Sequence, residues 1–350
     1  VSTYDLAIQE READLVIATF GRALWIMDDI RPLRKVAAEK GMLAKKLTVF
    51  PAPDAYQAQY RAATGYEWST MGLYDAPNRS RGAAISFFIG GAKDTAAKKT
   101  RNDSVTVKIY NEQNENIRNL KWKTEAGFNR ESWSMDEKGY RQPGSPKPRA
   151  GAQEPRGFQV LPGRYKIVVS LNKESDSTFI NVNDDPRFGN RNDIKLAQQK
   201  MYDRLRMSGD KLTEGMDQLT ESEELCSKMM AQLKDVTGKD ADSLRKATKA
   251  MQDSIKAIKE YISGEPSDKQ GINRDRGQTV MRSYQTAAQY IGSKNVAPGA
   301  QEEKLVMMAE EDINEAVQRI NKFYANQWKA YRQQVENTKL NLFKDYKPID

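Results

Sequence analysis

The chain contains no histidine. A Ser-His-Asp or Cys-His catalytic arrangement and any histidine-ligated metal centre are therefore excluded within it. Its single cysteine, Cys226, rules out an intrachain disulfide and a thiolate zinc site. No apolar run approaches the roughly 20 residues that a membrane-spanning helix needs. No signal-type segment opens the chain, which begins on Val1 rather than Met; a processed or excised piece of a longer product is expected.

What is present is polar and long. The 350 residues are 38% hydrophobic with a mean hydropathy of -0.79, room for two or three domains with much solvated surface. The net charge of +8 could suggest an anionic partner, but its distribution argues otherwise. From Arg191 to Asp350 there are 27 basic and 25 acidic residues with the signs interleaved. The remaining excess lies partly in loop-like stretches such as Lys98-Lys99-Thr100-Arg101 and Arg141 to Arg156. With neither a basic stripe nor an aromatic stacking platform, nucleic acid is not an expected partner.

The middle of the chain, Ala83 to Arg187, reads as strands. Val105, Val107 and Ile109 alternate with Thr106 and Lys108, the period that buries one face of a sheet. The Pro162-Gly163 turn feeds Tyr165, Ile167 and Val169 onto one face, and Asp184-Asp185-Pro186 closes the last strand. An antiparallel sandwich follows, interrupted by a Pro- and Gly-rich loop from Pro143 to Pro155. Trp122 and Trp133 would form a sugar-stacking platform if exposed and belong to the core if buried; the alternation of Trp133 with Asn129 and Glu131 favours the core.

Residues 12 to 30 make two short apolar strands about a Gly21-Arg22 turn, a hairpin that needs more sheet to rest on. Asp28 and Asp29 read as a strand-end turn rather than as a glycosidase acid pair, because neighbouring residues on a strand point to opposite faces. Residues 31 to 81 read as a linker, with a short helix from Pro32 to Lys40 stopped by Gly41, a strand-like Leu47 to Phe50, and an irregular stretch from Gly65 carrying Trp68, Tyr74 and Pro77. Asn78-Arg79-Ser80 and Asn102-Asp103-Ser104 match the glycosylation sequon, a pattern common by chance.

Two resemblances rest on these residues. The N-terminal string, with Asp14, Thr19, Gly21, Arg22, Trp25, Asp28 and Asp29 in place and Phe20 where histidine is frequent, resembles the last blade of bacterial BNR-repeat, sortilin-type β-propellers. Val105 to Trp133, with Asn111 to Asn116 as its turn and Ile117-Arg118-Asn119-Leu120 following, is similar to the Ig-like module of the flagellar hook-capping type. That module also follows the propeller in the sortilin-type proteins and ends there in Asp-Pro-Arg, as at Asp185-Pro186-Arg187. Together they cover roughly the first 190 residues. They imply the C-terminal region of an extracytoplasmic protein, periplasmic, secreted or on the cell surface, from a group often labelled glycosyl hydrolases on fold similarity.

After Arg187 the period changes. Apolar or small residues recur every three or four positions from Ile194 through Met201, Leu205, Leu212, Met216, Leu219 and Cys226 to Val236, which calls for one long helix. Gly209 and Gly215 are candidate kinks. A second helix runs from a cap at Asp240 to Ile262 and stops at Gly264-Glu265-Pro266. A third carries Val280, Tyr284, Ala287 and Ile291. The fourth runs from about Gln301 through Leu305, Met308, Ile313, Ile320, Trp328 and Val335 towards Leu342. Side by side, the two short helices would leave the long pair projecting as a two-helix stalk. The methionine-rich stripe could be an adaptable binding surface but is expected to fill the core. Cys226, on that stripe, is expected to be inert.

The expected fold is thus multidomain α+β: a propeller fragment (1–30), a linker (31–81), an antiparallel Ig-like β-sandwich (82–187) and an antiparallel four-helix bundle (188–350). No catalytic, cofactor-binding or metal-ligating residue is expected within it, and no cofactor. The function that fits is a non-catalytic structural or partner-binding region, its partner an upstream propeller of the same protein or another chain. The alternatives are part of a glycoside hydrolase whose acids lie upstream, and a carbohydrate-binding sandwich.

Overall fold

In the computed structural model, which describes residues 2–39, 41–58, 80–90, 103–265 and 277–338, the period-two and helical-period regions separate cleanly. The chain is mixed α+β and divides into two units, Val1–Tyr140 with Gly151–Asn192, and Arg141–Ala150 with Asp193–Asp350.

The first unit opens with an antiparallel meander of β1 (Thr3–Gln9), β2 (Asp14–Thr19) and β3 (Leu24–Met27), followed by α1 (Arg31–Ala38). Then come β4 (Leu47–Val49), β5 (Ala55–Gln57), β6 (Ala83–Ile89), β7 (Asp103–Tyr110), β8 (Asn116–Thr124), β9 (Gly127–Trp133), β10 (Asp136–Lys138), β11 (Arg156–Gln159), β12 (Gly163–Leu171) and β13 (Glu174–Asp184). Five strands form a sheet in the order β5-β13-β12-β7-β8, antiparallel except for the parallel β5–β13 pair; a second, antiparallel sheet runs β4-β6-β9, and β10 pairs with β11.

The five-stranded sheet and the β4-β6-β9 sheet share one core. Val105, Val107 and Ile109 from β7 and Ile167 and Val169 from β12 are buried with Ile85 and Phe87 from β6, as their alternation demands. Trp133 is wholly buried at the end of β9; its indole N–H donates to the Asp136 carbonyl at 2.9 Å and its ring meets Tyr165 edge-on at 5.4 Å. At the open edge of β8, the Asn119 amide donates to Glu154 Oε2 at 2.8 Å and the Lys121 amide to Gln153 Oε1 at 3.0 Å. Side chains there take the place of a further strand.

The stretch expected to be a linker is a correction. Its β4 pairs with β6 and its β5 with β13, so it contributes a strand to each sheet. These partners lie tens to more than a hundred residues away, beyond what a local pattern can show. The first strand, Thr3–Gln9, is also additional to the expected hairpin. The irregular stretch at 65–79, Lys98 to Arg101 and Leu342 lie outside the described residues; so do Asn78, Arg79 and Asn102 of the two sequons.

In the second unit α2 (Asn192–Leu233) is unbroken over 42 residues. It is followed by α3 (Lys239–Ser263), α4 (Val280–Ser293) and α5 (Ala300–Phe323), which continues through a π-helical turn (Tyr324–Trp328) into α6 (Lys329–Asn337). The side-chain partners fix their arrangement. Along α2, Glu223 meets Lys259 of α3 while Gln198 bonds the Lys294 carbonyl after α4; along the last rod, Asp312 meets Ser283 of α4 and Tyr331 meets Thr248 of α3. The two short helices therefore lie end to end, not side by side, and three helical rods share each level. Among the described residues no two-helix stalk projects, because 25 residues of α3 and 14 of α4 together cover what α2 offers.

The α2 stripe faces this core as its period implies: Leu205, Leu212, Leu219, Cys226 and Leu233 are all buried, with Met201, Met216, Met229 and Met251 packed against them. On α5 the seam differs from the expected one. Val306 and Ala309 are buried while Met308 is 43% exposed, since small residues at Ala309 and Ala316 let the rods approach. Gly209 and Gly215 are not kinks either: both are buried on the inner face of a continuous helix.

Candidate functional site

The seven motif residues near the N-terminus fall on the β1–β3 meander and at its base. At that base Asp29 adopts a left-handed backbone (φ 45°), which short polar side chains tolerate, and is 8% exposed. Its amide donates to Asp14 Oδ1 at 2.8 Å, and its carboxylate accepts from Arg31 Nε at 2.6 Å. Arg31 Nη2 also donates to the Glu12 carbonyl at 2.7 Å. From β9, Arg130 inserts a three-way fork: Nη1 to the Asp28 carbonyl at 2.6 Å, Nη2 to the Asp29 carbonyl at 2.8 Å, and Nε to Ser86 Oγ at 3.1 Å. A planar guanidinium suits this task because its donors are fixed in direction.

Beneath this clasp lies a cavity of about 140 Å³ lined by Asp28, Asp29, Arg31, Arg130, Glu131 and Ser132, together with Pro53, Ser80 and Ala84. Burial pushes the Glu131 carboxyl above its ordinary range. The cavity would hold only a few waters at ~30 Å³ each. Of the three acids that the motif supplies, Asp14 and Asp29 are engaged in holding the backbone and Arg31. Their arrangement makes a joint between the meander and β9, not a pair of acids facing a substrate.

Above the joint the meander is open on both faces. The register sets Leu6 and Ile8 beside Ile17 and Leu15, and these beside Trp25 and Met27, so all six share one face. The opposite face carries Ala7, Val16, Ala18, Leu24 and Ile26. Trp25, Leu24 and Ile26 are each more than 60% exposed and Tyr4 is 83% exposed. Each large side chain of this kind gains about 1.5–3 kcal/mol when fully buried, so a sheet apolar on both sides is built to lie between two covering layers.

The other candidates resolve by burial. Trp133 is wholly buried and Trp122, stacked on Phe87, is 8% exposed, so neither offers a face to a sugar ring. Cys226 is buried, and burial pushes its thiol up to about 11, far from a reactive thiolate at neutral pH. Among the described residues no group of three or more acidic or cysteine side chains is placed to hold a metal ion, and no helix is long and apolar enough to cross a membrane. The Arg130 fork is the feature that sequence reasoning missed: Arg130 lies about a hundred residues from Asp28 and Asp29, and only the position of the N-terminal sheet brings them together. No family model, curated protein or solved structure matches the chain.

Proposed function

We propose that the chain is the C-terminal region of a larger extracytoplasmic β-propeller protein of the BNR-repeat, sortilin type, and that it acts there as a non-catalytic structural and partner-binding region. In this reading β1–β3 belong to the last propeller blade, the two sheets that share a core are an Ig-like module, and the helices are a C-terminal bundle. The observation that carries it is the meander with two open apolar faces, held at its base by Arg130. Such a sheet gains its stability from neighbours on both sides, which the preceding blades of the same protein, or another chain, would supply.

Two measurements test the reading. A separately produced protein carrying the preceding blades should bind the 350-residue chain, and the Leu6→Asp/Trp25→Asp variant should lose that binding. Purified chain offered a panel of aryl glycosides and oligosaccharides should show no turnover. Turnover abolished by a single Asp or Glu substitution within this chain would sink the proposal and promote the glycoside hydrolase alternative.

A further inference from the structure

The segment Arg141–Ala150 leaves the first unit's chain, lies with the helical unit and returns at Gly151. It contributes no residue to the helical core, and of its ten residues only Pro143 is buried. It is stiffened by Pro143, Pro146 and Pro148. A tight turn closes with the Ser145 amide on the Gln142 carbonyl at 3.1 Å, Pro143 at the second position and Gly144 at the third with φ 77°, the pairing that a type II turn requires. The turn brings two cations to α2. Arg141 grips both carboxylate oxygens of Asp217, one at 2.9 Å, and Lys147 pairs with Glu221 one helical turn further on. Gln142 adds a long bond to the Tyr202 hydroxyl at 3.3 Å.

The two pairs are unequal. Arg141 and Asp217 are only 23% and 21% exposed and make a bidentate contact, whereas Lys147 and Glu221 are 59% and 65% exposed, where an ion pair contributes little. The Arg141 hydrogen bond, ahead of its charge, holds the Asp217 carboxyl below its ordinary range.

We propose that Arg141–Ala150 is an electrostatic latch: a basic, proline-stiffened strap that clips onto α2 mainly through Arg141 and Asp217 and lifts away, with the helices intact, when that pair is broken. Seated, the strap makes the second unit a composite of two chain segments. Released, it leaves the helices as one continuous segment, uncovers Asp217 on α2 and leaves Glu221 without its cation.

The test uses the full chain and the rate of tryptic cleavage at Arg149–Ala150, a bond inside the strap. Asp217→Asn should speed that cleavage about tenfold, equivalent to about 1.4 kcal/mol of lost latching, and 0.5 M salt should speed it in the native chain. Helical circular dichroism and its melting midpoint should stay unchanged. The Arg141→Asp/Asp217→Arg double variant should regain most of the protection lost by either single change. A cleavage rate indifferent to salt and to Asp217→Asn overturns the latch, and so does a loss of helix accompanying release, since the strap would then be part of the helical core's support.

Discussion

Gly209 on α2 lies directly against the ring of Tyr284 on α4: a β-carbon at Gly209 would stand 2.7 Å from Tyr284 Cε2 and 3.1 Å from its hydroxyl oxygen. Tyr284 is wholly buried, and among the described residues its hydroxyl finds no hydrogen-bond partner, so packing alone holds the ring against the glycine. The glycine is there for close approach of two rods rather than for flexibility.

Gly209→Ala should therefore destabilise the helical unit by up to about 2 kcal/mol, because a collision of the overpacking kind, about 1–3 kcal/mol, is offset by the ~1 kcal/mol gained in helix propensity. Gly215→Ala should be near neutral. Its β-carbon would crowd the terminal methyl of Ile320, at 2.7 Å, which a rotamer change can move, while the other Ile320 carbons lie at ordinary contact distances of 3.7 and 3.9 Å. Urea unfolding of both variants decides the matter; equal effects would refute the packing account.

Arg130→Ala should free the N-terminal meander without unfolding the sheets that share the core. Amide exchange is expected to quicken in Asp14–Thr19 and stay slow in Gly163–Leu171. Arg130→Lys should not restore protection, because a single ammonium cannot reach the Asp28 and Asp29 carbonyls and Ser86 together. Restoration by lysine would show that charge alone holds the joint.

Glu302 gives the helical unit an acid-sensitive seam. It bonds Lys294, and its Oε2 accepts the Gly299 amide at the start of α5 at 2.8 Å; these bonds, Lys294 first, hold its carboxyl down to about 2 from 4.5. With the folded value below the unfolded one, the contribution is fully present above about 4.5 and is lost as pH falls through about 2. Lys294→Met should move the Glu302 titration, followed by carboxyl-selective NMR, back towards its ordinary value and raise the pH of acid unfolding. An unmoved titration would mean that the Gly299 amide alone sets it.

Local pattern carried much of this architecture. The alternation in Ser104–Tyr110 and Tyr165–Val169 marked β7 and β12, and the three-to-four spacing marked α2 as one helix, because a single buried face leaves its period in the residues that form it. What stayed hidden depends on partners distant in sequence. Leu47–Phe50 reads as strand-like by itself, but nothing in it shows that β4 completes a sheet, because β6 lies beside it only in the fold. The end-to-end placement of α3 and α4 is equally invisible, since both helices show an ordinary stripe whether they stand abreast or in line. Ala309 and Ala316, not Met308, line the α5 seam, and a small side chain leaves a weaker core signal in the sequence than a large apolar one does. At the candidate site, Asp14 and Asp29 were legible from their string, whereas their engagement with Arg31 and Arg130 required the fold.

The side chains of Gln153 and Glu154 that occupy the β8 amides have a counterpart in what β1 and β3 lack. Among the described residues each of those two strands pairs only with β2, so each presents an unpaired backbone edge next to the most water-exposed apolar residues of the unit. The β8 rim is closed to templated growth, while the meander can seed it from two rims at once. Without its covering layers, misassembly of this protein should nucleate within residues 3 to 27, and a fibril formed by the chain should carry that segment in its protease-resistant heart.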